Sequence, residues 1–299
     1  VTKSDIDRPR ARKARNPLAT SVRSVTRLSA SLVRVVVGGG DLTRFEPSPY
    51  ADSYVKLMFL SDETTYERPI DVEAIRSTHP AEHWPRLRTY TVRNWNAREH
   101  ELTLDIVVHG DSGLAGPWAA AVAPGDEVFL LGPGGGYSPT LDADWHLLVG
   151  DESALPAIAV ALERLPDDAV AHVFVEVHGP QDEVPLVLPS SSSVTWIHRG
   201  EQPVGQRLVA AVTTAFDDAS GQALPTGDVQ AFVHGEAGMV RQLRRLLKVE
   251  QKVPSDRLSI SGYWRVGADD EGWRATKSEW NRSVEQDEAA ELGPAELRA

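Results

Sequence analysis

The sequence predicts a two-domain chain, with an antiparallel β-barrel or sandwich followed by an α/β unit built on a parallel sheet. Three observations carry that expectation. Between Thr20 and Leu131, apolar residues recur in short alternating runs broken by turn residues, the pattern of an all-β unit. After Leu141, apolar runs alternate with helical stretches, which implies a parallel sheet covered on both faces. The length of 299 residues also suits about two domains, each large enough to bury a core.

In the first half, Arg34–Val37 ends at Gly38-Gly39-Gly40, and Tyr54–Leu60 alternates before a polar stretch. Leu87–Arg93 and Leu102–Val108 are separated by a short turn-rich segment, as in an antiparallel pair, and Glu127–Leu131 follows the turn at Pro124-Gly125-Asp126. Asp62–Pro85 breaks this rhythm and reads as a long loop or an inserted short helix. In the second half, His146–Val149 stops at Gly150 and a helical pattern runs from Ala154 to Leu165. Next come Val173–Val175, Val194–Ile197, a helix around Arg207–Phe216, Ala231–Val233, a helix over Ala237–Glu250, and Leu258–Ile260. The boundary falls at Gly132–Asp144, which is rich in Gly, Pro and Asp. The expected divisions are a basic, disordered 1–16, a barrel over 17–140, an α/β unit over 141–270 and a polar extension over 271–299. Within that extension, Glu279–Ala299 reads as a peripheral helix or a frayed tail.

Composition excludes several chemistries. The chain has no cysteine, which rules out disulfides, thiol nucleophiles and cysteine-ligated zinc or iron–sulfur centres. Redox chemistry then needs a bound cofactor, or a metal held by histidine and carboxylate. The net charge of −12 is uneven, with 17 basic and 19 acidic residues in 1–150 against 14 and 24 in 151–299. That balance argues against a nucleic-acid surface. The basic run Arg8–Arg15 reads as a solvated terminus, and no apolar segment follows it as a secretory signal would require. Nothing in the sequence approaches a membrane span, so the expected location is the cytoplasm.

Two short motifs are set aside. His79, Glu82 and His83 match an inverted zinc-protease pattern, but Pro80 and Pro85 confine any helix there to about one turn. Gly110-Asp111-Ser112-Gly113 resembles a protease serine loop, yet half the chain is α/β; its glycines more simply let the backbone turn or approach a phosphate. No metal site is expected. Gly134-Gly135-Gly136 does not complete a dinucleotide fingerprint. The turn Gly150–Pro156 still joins a strand end to a helix N-terminus, where a ligand can bind, and spacing casts Asp151 and Glu152 as helix caps. In Arg88-Thr89-Tyr90-Thr91-Val92-Arg93 an arginine can grip phosphate, a tyrosine ring can lie on a planar heterocycle and a hydroxyl can bond a ring nitrogen.

A strand-rich unit bearing Arg-x-Tyr-Thr and followed by an α/β unit resembles the ferredoxin-reductase superfamily. More narrowly, the chain resembles the siderophore-interacting proteins, flavin-dependent ferric-siderophore reductases. The matching segments are Tyr54–Leu57, Arg88–Arg93, Asp105–Gly110, Trp118-Ala119, Gly132-Pro133, Gly150–Ile158, Gly235–Ala237 and Gly262–Gly267, collinear over roughly residues 17–270. The resemblance implies FAD on a barrel, with Arg88 at the pyrophosphate, Tyr90 on the isoalloxazine or ribityl chain and Thr91 at flavin N5, the one expected catalytic contact. Arg93, Asp105, Val107 and His109 would meet the ribityl and adenosine parts. Ala115, Gly116 and Trp118 lie in the expected phosphate loop. NADH or NADPH would enter the α/β unit beside Asp151, Ser153, Ala154, Gly235 and Glu236, with Tyr263 and Trp264 approaching the flavin.

Lys56 and Arg265 are the expected contacts to an anionic ferric siderophore. The sequence departs from the family's usual pattern at Gly134, where an arginine is usual, at Ser153 for threonine, and at Gly116-Pro117 in the phosphate loop. Arg86 is a candidate replacement cation. The implied activity is a monomeric, cytoplasmic NAD(P)H-dependent ferric-siderophore reductase. Its rivals are a flavoprotein that serves a protein partner and a siderophore-binding protein without reductase activity.

Overall fold

The computed structural model describes residues 16–108, 113–217 and 223–291. Among them, β1 (Leu18–Arg27), β2 (Leu32–Gly38), β3 (Tyr54–Phe59), β4 (Arg86–Asn96), β5 (Glu101–Val107) and β6 (Glu127–Gly134) close a barrel. The order is β1-β2-β5-β4-β3-β6 and every neighbouring pair is antiparallel. A barrel rather than a sandwich therefore resolves the first half. Period-2 alternation fills it, with Val33, Val35 and Val37 of β2 and Leu102, Leu104 and Ile106 of β5 all buried inside. β1 is nearly silent in the sequence, because Val22 is the only one of its apolar residues that is fully buried.

The irregular segment after β3 holds α1 (Val72–Thr78), whose N-cap Asp71 accepts from the N–H groups of Glu73 and Ala74. Ile75 of α1 packs with Tyr66 and Ile70 against Met58 and Phe129 on the barrel's outer wall. His79 ends α1 and His83 lies in a separate 3-10 turn, so no single helix face carries that motif.

β7 (Trp145–Asp151), β8 (Ala171–Val177), β9 (Ser193–His198), β10 (Val229–Glu236) and β11 (Leu258–Trp264) form a parallel sheet ordered β11-β10-β7-β8-β9. α2 (Ala115–Ala121) belongs to the barrel, while α3 (Leu155–Arg164) covers one face of the sheet. α4 (Gln206–Phe216) and α5 (Ala237–Arg245) cover the other, and a π turn at Leu246–Glu250 continues α5. The strand order switches between β7 and β10, and a crevice opens at their carboxyl ends, the usual place for a ligand on such a sheet.

One apolar cluster spans both units. Leu32 and Ala51 from the barrel and Tyr137 from the connection pack with Leu148, Ile158 and Phe232 of the α/β unit. α6 (Asp270–Glu291) then runs past the edge strand β11. It begins nine residues before the expected peripheral segment. Its Trp273 is 2% exposed and meets Trp280 edge-on at 5.4 Å. Arg241–Asp287, Arg244–Glu288 and Lys248–Glu288 tie its far end to α5 and the π turn.

Candidate functional site

A cleft of about 1290 Å³ lies between the barrel and the carboxyl ends of the sheet. On the barrel side, β3 and β4 bring Tyr54 opposite Thr91 and Lys56 opposite Thr89. Thr91 is buried at 7% exposure and lines the cleft, and its hydroxyl bonds to none of the described residues. The same holds for the phenol groups of Tyr54, Tyr90 and Tyr263. Burial raises the Tyr90 and Tyr263 phenols, so both stay protonated donors. At the lower end, Val107 and the turn Gly113–Gly116 face the cleft. Among the described residues no side chain caps α2, and none accepts from the N–H groups of Ala115 and Gly116. Gly113 adopts φ +88° with no atom of the described residues within 4 Å of the place a Cβ would take.

Several expected contacts are already engaged inside the chain. The Arg88 guanidinium, though in the cleft, binds both oxygens of Glu271 at 2.5 and 2.9 Å and reaches Asp270 at 3.4 Å. Asp105 also lines the cleft, but accepts from Arg34 at 2.7 and 2.8 Å. Arg93 lies outside it and bridges to Glu163 of α3 at 2.9 and 2.5 Å. Trp118 packs edge-on against Phe59 at 5.6 Å on the barrel core. His109 lies outside the described residues, as does Ser112.

The sheet side is organised by Asp151. Its Oδ1 accepts from Ser153 N at 2.9 Å and Ser153 Oγ at 2.5 Å, and its Oδ2 from Glu236 N and Trp264 Nε1, both at 2.8 Å. One fully buried carboxylate thus fixes the ends of β7, β10 and β11. Burial pushes its carboxyl up, against the pull of these hydrogen bonds. The capping expectation is corrected here, since Ala154 is the N-cap of α3 and no side chain caps that helix. Gly235, at φ +140°, lies under this knot, and a Cβ there would come within 2.7 Å of Asp151 Oδ2. Glu236 is the residue that caps: its Oε2 accepts from Gly238 and Met239 at the start of α5, and its Oε1 from Val266 N at 3.2 Å.

Glu152 and Ser153 line the cleft beside this knot. Burial and the nearby Asp151 push the Glu152 carboxyl up to about 7, with Arg199 opposing. Arg199, placed just after β9, holds Glu152 at 3.1 Å and Glu176 at 3.5 Å. Sequence reasoning passes over this arginine, although its place at a strand's carboxyl end was a usable signal. It also misses the cleft wall formed by α6, whose polar sequence carries no motif.

Position 134 is crowded by the Tyr54 ring. A Cβ at that position would lie 2.4 Å from Tyr54 Cζ, so the Tyr54 ring takes the space a larger residue needs. Arg86 is exposed on β4, outside the cleft lining.

Residues 21–137 match a family model described as Siderophore-interacting FAD-binding domain, and residues 143–267 one described as Siderophore-interacting protein. The chain is 33% identical over 247 residues to the ferric vibriobactin reductase ViuB of Vibrio cholerae, covering 82% of this chain and 88% of that relative. It is 31% identical over 252 residues to an Escherichia coli NADPH-dependent ferric-chelate reductase, covering 82% and 92%. Among solved structures, the siderophore-interacting protein SipS from Aeromonas hydrophila aligns with a TM-score of 0.73 at 27% identity, over 90% of this chain and 99% of that one.

Proposed function

The chain belongs to the siderophore-interacting protein family, and from that premise we propose that it is an FAD-dependent NAD(P)H:ferric-siderophore oxidoreductase, monomeric and cytoplasmic. One observation carries this reading. Four hydroxyls without partners among the described residues, those of Tyr54, Tyr90, Thr91 and Tyr263, converge in one cleft between a barrel and a sheet's switch point. The residues fit a flavin dinucleotide, because flat rings and free donors meet there with a helix start that no described side chain caps and a glycine that no described atom crowds. The chemistry supplied by bound FAD is acceptance of a hydride from NADH or NADPH and release of single electrons to chelated Fe(III).

The chain's own residues bind and orient. Thr91 would donate its hydroxyl proton toward flavin N5, and Tyr90 and Tyr263 would present ring faces. The backbone amides of Ala115 and Gly116 would receive phosphate. The Asp151 knot holds Trp264 and the end of β10 at fixed positions on the coenzyme side. Lys56 and Arg265 both line the cleft and would attract an anionic chelate despite the overall charge, because screening limits distant carboxylates. Fe(II) binds hard oxygen donors more weakly than Fe(III), so reduction loosens the chelate.

The test is spectroscopic. The protein is expected to bind FAD, bleach on anaerobic addition of NADH or NADPH, and regain colour with a ferric chelate. A colourless protein that takes up no FAD would sink the reading. Thr91→Ala should retain FAD yet slow its reduction by about tenfold, the scale of one lost hydrogen bond. Unchanged stopped-flow kinetics would remove Thr91 from the site.

A further inference from the structure

The carboxyl end of the sheet gathers three carboxylates. Asp151 ends β7, Glu152 follows it, and Glu176 of β8 stands opposite Asp151 in the strand register. Asp151 is satisfied by its four hydrogen bonds. The other two share one cation. Arg199 Nη1 lies 3.1 and 3.3 Å from the Glu152 oxygens and 3.5 Å from Glu176 Oε1, and neither carboxylate forms a second ion pair with a described residue. Glu176 Oε1 also accepts from Gly205 N at 2.8 Å, while its Oε2 is buried with no partner among the described residues. Two carboxylates against one guanidinium leave a surplus negative charge unless a proton neutralises it.

Of the three, Glu152 is the one placed to respond to a ligand. Glu176 is fully buried away from the cleft, whereas Glu152 lines it, in the turn between Asp151 and Ser153 at the switch in strand order. The sign of the surplus selects what can sit there. A phosphate would be repelled, whereas a cation would be attracted and would favour the ionised carboxylate. The other titratable groups lining this end are His178 and Asp182 after β8, and His234 of β10. Asp182 accepts from Ser29 Oγ and Gln181 Nε2, and burial keeps His234 neutral. Across the cleft, Asp105 is already held by Arg34.

A nicotinamide ring is neutral in the reduced coenzyme and carries one positive charge once its hydride has left. We infer that Glu152 is the counter-charge for the oxidised nicotinamide, so that binding NAD+ or NADP+ sends a proton from its carboxyl to solvent and binding the reduced form does not. No bond of the coenzyme changes in this exchange. One O–H bond of Glu152 breaks, water takes the proton, and the ring's positive charge replaces it beside Arg199. The carboxyl titrates at about 7 in the free chain, raised by burial and by Asp151, so the exchange is within reach of neutral pH. The assignment rests on the functional reading above and adds which redox form of the coenzyme the site favours as pH rises.

Isothermal titration calorimetry on the FAD-loaded full chain, in buffers of different ionisation enthalpy, tests this. The probes are NAD+ and NADP+, each beside its tetrahydronicotinamide analogue, whose ring is neutral and donates no hydride. Comparing two forms of one coenzyme cancels the titration of a 2′-phosphate. The oxidised form should release about half a proton near pH 6.5. Its affinity relative to the analogue should rise about fivefold between about pH 6 and 8.5, as a tenfold fall in the carboxyl's proton affinity requires. Glu152→Gln should retain FAD, release no proton and show a flat ratio. The proton count is read on the wild type, so it decides the matter even where the variant fails to fold. If an oxidised coenzyme binds without releasing a proton, or Glu152→Gln keeps the rise, the assignment is overturned and the functional reading stands. If neither coenzyme binds in either form, both are overturned.

Discussion

The hydroxyls and the buried carboxylates of the cleft are handled differently. The barrel wall leaves the hydroxyls of Tyr54, Tyr90 and Thr91 without partners among the described residues, as the sheet wall does that of Tyr263. The sheet wall ties up its carboxylates internally, with Asp151 alone accepting four hydrogen bonds and Glu152 and Glu176 sharing Arg199. The contrast separates two tasks. Groups left unsatisfied beside a cavity are available to a ligand, whereas a saturated buried carboxylate sets the positions of the strands around it.

The largest test of that contrast is Asp151→Ala. It strips acceptors from Ser153, Glu236 N and Trp264 Nε1 at once, and should lower the unfolding free energy by about 3–5 kcal/mol in urea titrations. Thr91→Ala on the opposite wall should leave stability nearly unchanged. A small effect at Asp151 would erase the distinction between the two kinds of group.

Glu152 sharpens it through pH. Its carboxyl titrates at about 7 in the folded chain, against an ordinary value of 4.5. The folded state therefore holds this proton more tightly than the unfolded state does. The resulting stabilisation is complete below the ordinary value and is lost as pH rises toward 7. Wild type should thus lose stability relative to Glu152→Gln between about pH 5 and 7, with the difference constant above about pH 8. Parallel pH profiles for the two proteins would place Glu152 outside this description.

The smallest effect belongs to Arg93. Its side chain is 19% exposed and its partner Glu163 is 36% exposed, so Arg93→Ala should cost about 0.5–1 kcal/mol. FAD affinity should not change if the arginine only bridges β4 and α3. A fall in FAD affinity would instead return Arg93 to the cofactor contact that the family resemblance implies.

The parts legible in the sequence are those with local signals. Alternation in Val33–Val37 and Leu102–Ile106 gives the barrel strands, an apolar run stopped by Gly150 gives β7, and the apolar run Ala231–Val233 gives β10. The helix after β7 matches its expected span within a residue at each end. What stayed hidden depends on distant partners. Trp264 is 113 residues from Asp151, so spacing suggested a local cap where the folded chain makes a tertiary knot. α6 looked peripheral because much of its docking rests on ion pairs such as Arg244–Glu288, 44 residues apart, rather than on an apolar stripe. The Arg88 pairing with Glu271, 183 residues away, was equally invisible, and so was the collision between Tyr54 and any side chain at position 134.

The apolar cluster that holds Leu32, Ala51 and Tyr137 together with Leu148, Ile158 and Phe232 has a consequence for the width of the cleft. Prising the walls apart would expose core side chains to water, at about 1.5–3 kcal/mol for each large one. The width of the gap between barrel and sheet is thus tied to the core itself, and any change in that width comes at the expense of buried apolar contact.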